Sequence, residues 1–166
     1  MSSSSGISNY ELADLAKKHK INLKLENIIM KDELTNFKLK NKMNFIVNLQ
    51  STNKSGTHWV ALIIRKKYAL YCDSYGVIPD TSILKYCVNN NLHLGYNNYI
   101  FQDLFSTNCG LYAFALIKYI EMNRIPIQRI YENNLYELGN NFVNLFIGKT
   151  KRNDSILKQF LKIHKN

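Results

Sequence analysis

The chain has 166 residues, 46% hydrophobic and 20% charged, with seven Gly and two Pro, which excludes a disordered, collagen-like or repeat protein and suffices for one core, a single domain over 1–166. Twenty-two Lys and Arg against twelve Asp and Glu give a formal charge of +10, a field that draws polyanions or acidic partners, but no aromatic–Lys alternation marks a single-strand platform. Three cysteines without a close Cys-x-x-Cys pair exclude a disulfide framework and a zinc site, and the longest apolar runs, 59–64 and 111–117, fall short of the ~18–20 residues of a membrane span.

Residues 1–6 are Ser-rich with no apolar core behind them, so a disordered end and synthesis in a cytosol are expected. Tyr10, Leu12, Ala13, Leu15 and Ala16 predict an amphipathic helix over 8–20, with Asn9 as its cap. Residues 44–50, 57–64 and 68–73 read as strands, the last two a hairpin across Arg65-Lys66-Lys67. Pro79-Asp80-Thr81 opens a helix to about Asn89, the Asn run 89–91 stops it, and 98–102 reads as a fourth strand. Residues 109–124 are apolar on nearly every side and predict a buried helix ending near Pro126. An amphipathic helix over 132–146 and a basic tail, 149–166, follow; Ile156, Leu157, Phe160, Leu161 and Ile163 give the tail a short closing helix. This order predicts an α+β fold, a mostly antiparallel sheet packed around a buried helix that starts at Cys109.

Two stretches carry more than packing. A tight turn at 65–67 sets the start of one strand beside the end of the next, making His58 and Asp73 neighbours, so that a carboxylate orients an imidazole. The loop 102–108 delivers Cys109 to the first turn of the buried helix, where free N–H groups and the helix dipole favour a thiolate. Together these form a His–Asp–Cys arrangement: Cys109 as nucleophile, His58 as acid and base, Asp73 as orienter, with Gln102 and the Cys109 N–H facing the oxyanion. Taken singly, a buried Cys at a helix start is ordinarily a small hydrophobe and a His before a Trp a structural residue; joint occurrence gives them weight. His19, His93 and His164 read as surface residues, and Cys72 and Cys87 as core thiols.

Gly56-Thr57-His58-Trp59, Cys72-Asp73-Ser74-Tyr75-Gly76 and the run from Gln102 to Asn108-Cys109-Gly110-Leu111-Tyr112 resemble, in that order, the adenain and Ulp1-like cysteine proteases. Gly6-Ile7-Ser8-Asn9-Tyr10 and Met30-Lys31-Asp32-Glu33-Leu34 are similar to the openings of viral members, so the resemblance covers roughly residues 6–120. It implies a monomeric thiol endopeptidase that needs no metal or cofactor, cleaves after small residues at Gly-Gly-X sites and matures capsid and core precursors of a virophage or adenovirus-type virus, in the virion and the host cytoplasm. By the same resemblance Trp59 narrows the passage that admits glycine and Asp32 contacts substrate backbone; the plainer readings are a core Trp and a helix-start carboxylate. Activation by DNA or by a viral peptide is a further implication, and the net charge fits the first. Two rival expectations stand beside it: a protease of ubiquitin-like modifiers with the same machinery, and a basic DNA-binding structural protein with an idle thiol.

Overall fold

Ser8 opens the first helix, α1 (Asn9–Lys18), one residue before the expected cap: its Oγ accepts the Glu11 N–H at 3.2 Å while the Glu11 carboxylate accepts the Ser8 N–H at 2.7 Å, a reciprocal capping box that Asn9 has no Glu at the right spacing to close. The computed structural model describes residues 6–50, 58–98, 100–128 and 150–162. The strands are β1 (Ile28–Met30), β2 (Lys42–Asn48), β3 (Trp59–Arg65), β4 (Tyr68–Cys72) and β5 (His93–Tyr96), and they form one sheet in sequential order. The three central strands are antiparallel, and the edge strands β1 and β5 run parallel to β2 and β4. Short 3₁₀ helices, Leu25–Asn27 and Lys31–Asn36, bracket β1.

The central strands read as continuous apolar runs because both faces are covered. On one face Ile46, Ala61, Ile63, Leu70 and Cys72 pack with α3 (Cys109–Asn123) and α1. On the other, Phe45, Val47, Val60, Leu62, Ile64 and Tyr71 pack with Ile83, Tyr86 and Cys87 of α2 (Thr81–Asn89), a helix capped by Asp80. Every residue of α3 from Cys109 to Ile120 is buried. The closing helix, α4 (Thr150–Phe160), is present, with Leu157 buried on it and Leu161 buried just beyond. The helix expected over 132–146 lies outside the described residues.

One strand assignment is corrected. The fourth strand expected at 98–102 does not form among the described residues there: the edge strand beside β4 is His93–Tyr96, parallel to it after the α2 crossover. The N–H groups of Phe101 and Gln102 both donate to the Ser74 carbonyl instead, at 3.0 and 3.1 Å. The apolar Phe101, 5% exposed, therefore serves to dock a loop against the end of β4 rather than to extend a ladder, while Ile100 is exposed.

Candidate active site

The site lies at one end of the sheet, where β3 begins and β4 ends. Ala61 pairs with Cys72 in the β3–β4 ladder; continuing that register brings His58 opposite Tyr75 and diagonal to Asp73. The rings of His58 and Tyr75 stack at 4.9 Å, and His58 Nε2 lies 2.8 Å from Asp73 Oδ1. The His58 carbonyl accepts the Leu49 N–H at 3.0 Å, which fixes the backbone ahead of the strand. Pairing Nε2 with the carboxylate leaves Nδ1, buried and without a hydrogen bond to the rest of the protein, as the nitrogen available to Cys109.

Cys109 is the first residue of α3, and its Sγ accepts the Trp59 N–H at 3.5 Å. Burial alone raises a thiol pKa; here the His58 side chain and the N–H groups of Trp59 and Gly110 outweigh it and hold the Cys109 pKa below its ordinary value. Burial likewise disfavours the imidazolium, but Asp73 and the Cys109 sulfur overcome it and push His58 up to about 9. Each group favours the charged form of the other, which lowers the Cys109 pKa and raises that of His58. The remaining thiols are the reverse case: burial pushes Cys72 strongly upward and Cys87 up to about 11.

Asp73 is 1% exposed and is held from several sides. Its Oδ1 also accepts the Tyr75 N–H at 2.8 Å. Asn97 brackets its backbone, accepting the Asp73 N–H at 2.9 Å and donating to the Asp73 carbonyl at 2.6 Å. Asn97 went unnoticed in the sequence, because an Asn beside a second Asn reads as a turn.

Gln102 is fully buried beneath the same group. The Ser74 hydroxyl donates to its Oε1, and its Nε2 donates to the Ser106 carbonyl at 2.9 Å and to Tyr75 Oη at 3.2 Å. Both amide hydrogens are thus engaged, and turning one towards an oxyanion costs the longer bond, to Tyr75. Trp59 packs on Gly110, and its indole N–H donates to the Ile7 carbonyl at 3.1 Å. Asp32 falls in the first turn of the 3₁₀ helix after β1; because Met30 pairs with Asn48 and Asn48 with Trp59, it belongs to the same end of the sheet as His58. Among the described residues, no three His, Cys, Asp or Glu side chains converge as metal ligands.

No protein-family model and no curated protein matches the chain. Among solved structures it is similar to the ASFV pS273R protease, with a TM-score of 0.59 and 12% identity over 98% of this chain and 69% of that one. The chain therefore has an α+β fold of the Ulp1-like cysteine-protease type.

Proposed function

We propose that the chain is a cysteine endopeptidase with Cys109 as nucleophile, His58 as proton carrier, Asp73 as orienter and Gln102 as an oxyanion donor. The observation that carries this is the His58–Asp73 contact of 2.8 Å beside a cysteine whose thiolate form is favoured at the start of a buried helix.

The Cys109 thiolate attacks the scissile carbonyl carbon, and the oxygen gathers negative charge near the Cys109 N–H and the Gln102 amide. His58 then gives its Nδ1 proton to the departing amine, leaving a thioester on Cys109. Water, deprotonated by the now neutral His58, attacks that thioester and frees the acid and the thiol, whose proton returns to His58. Asp73 accepts the Nε2–H throughout and keeps the ring in its plane while it changes charge.

The substrates we propose are capsid and core precursors of a double-stranded DNA virus, cut after Gly-Gly pairs in the virus factory and the virion, with Trp59 narrowing the passage and Asp32 meeting substrate backbone. The formal charge of +10 supports assistance by DNA, for which duplex affinity falls linearly in log[salt]. A precursor carrying a Gly-Gly-X site, incubated with the protein with and without duplex DNA, tests this: cleavage that disappears with Cys109→Ala is the expected result. Turnover of a Gly-Gly-terminated ubiquitin-like fusion but of no capsid precursor would transfer the same machinery to modifier removal.

A further inference from the structure

The C-terminal helix reaches into the loop that precedes the nucleophile. Asp154, on α4, accepts two hydroxyls on one oxygen: Ser106 Oγ at 2.9 Å and Tyr112 Oη at 2.8 Å. Tyr112 stands one turn beyond Cys109 on α3, so this carboxylate ties the loop to the helix that begins at the nucleophile. Ser106 is the loop's hub. Its Oγ also accepts the Asn108 N–H at 3.2 Å, and its carbonyl accepts Gln102 Nε2 and Tyr75 Oη at 2.9 and 3.2 Å. Next door on α4, the buried Asn153 donates to the Phe101 carbonyl at 2.7 Å, securing the loop where it meets Gln102. At the tip the side chains of Leu104 and Phe105 are 74% and 93% exposed, and Asp103 closes the turn locally, its Oδ1 accepting the Phe105 N–H and its carbonyl the Ser106 N–H, both at 2.9 Å.

We propose that Asp154 is a positioning residue for oxyanion stabilisation, setting Gln102 and the Asn108–Cys109 backbone through Ser106; this rests on the protease reading above. Misplacing donors by a fraction of an ångström removes transition-state stabilisation while leaving the thiolate intact, because the groups that favour the thiolate, His58 and the Trp59 N–H at the start of β3 and the Gly110 N–H on α3, lie outside the loop.

Two reagents separate these effects without knowledge of the substrate. With p-nitrophenyl acetate the Cys109 sulfur attacks the carbonyl carbon, a tetrahedral oxyanion forms, and p-nitrophenolate leaves as the acetyl thioester is made. With iodoacetamide the sulfur displaces iodide from a CH₂ group and no oxyanion arises. Both rates are read at Cys109 by mass spectrometry on the full chain. In Asp154→Ala, acetylation should fall about 10- to 100-fold while alkylation stays within about twofold; Asp154→Asn, which keeps one acceptor, should recover part of the loss. Should Asp154→Ala fail to fold, Ser106→Ala cuts the same link from the loop side, with the same expected result. An unchanged ratio, or a parallel loss of both rates, overturns the positioning role. A wild-type Cys109 that reacts with iodoacetamide only in alkali overturns the protease reading itself, and this inference with it.

Discussion

Gly110 is the second residue of α3, and replacing it by Ala tests how tightly the N-terminal segment is built into the site. A Cβ there would lie 2.5 Å from Ile7 Cγ2 and 3.1 Å from Trp59 Cδ1. Ala gains up to about 1 kcal/mol over Gly in a helix, whereas forcing a methyl into packed surroundings costs about 1–3 kcal/mol. The cost should win, since Trp59 cannot swing aside without breaking its indole bond to the Ile7 carbonyl, 3.1 Å long. Against the full helix gain the net loss reaches about 2 kcal/mol, which for a chain of this size lowers Tm by up to roughly 8 °C. The displaced Trp59 also draws its N–H from the Cys109 sulfur, so alkylation of Cys109 near pH 6 should slow. Ile7→Ala removes the nearer methyl, so in a double-mutant cycle of thermal or urea unfolding the pair should couple favourably by about 1 kcal/mol. A Gly110→Ala protein as stable and as reactive as the wild type would refute the packing argument.

Asp73→Asn removes the charge that helps hold His58 protonated, so the His58 pKa, followed by NMR titration, should drop well below about 9, and turnover should fall by up to roughly 10⁴. Asn97→Leu leaves the Asp73 N–H unpaired in a buried place, while the Asp73 carbonyl keeps the Gly76 N–H at 2.9 Å; unfolding in urea should show a loss of about 1–3 kcal/mol, with activity falling further than stability alone explains. The pH dependence of stability has a definite sign: since His58 is raised from 6.5 to about 9, its contribution is full below pH 6.5 and fades as the pH rises through about 9. Subtracting the His58→Ala unfolding profile from the wild-type profile should expose that decline, and a difference that grows with pH would contradict it.

Much of the fold was legible because its signals are local and strong. Residues 57–64 and 68–73 carry β-branched and aromatic runs on either side of a charged turn, and α3 is apolar over whole turns. The contact at the centre of the candidate site was legible for the same reason: hairpin geometry alone makes His58 and Asp73 neighbours. What escaped is short or long-range. β1 has three residues, too few to show a period, and β5 holds a Gly and two exposed ends, while Phe101 and Ile100 imitate a strand they do not form. Asn97, Ser106 and Asp154 owe their place to contacts 24–48 residues away, and no spacing rule announces an Asp on a basic amphipathic helix as a partner of the nucleophile's loop.

The most direct measurement is the pH profile of iodoacetamide labelling at each cysteine, by mass spectrometry on wild type and His58→Ala. The pair of charges requires Cys109 to label well below the free-thiol pKa of ~8.5, to lose that advantage without His58, and to outpace Cys72 and Cys87, whose thiols burial pushes upward. Labelling of Cys109 that begins only near the free-thiol range, unchanged by His58→Ala, would contradict the thiolate–imidazolium pair on which the proposed chemistry depends.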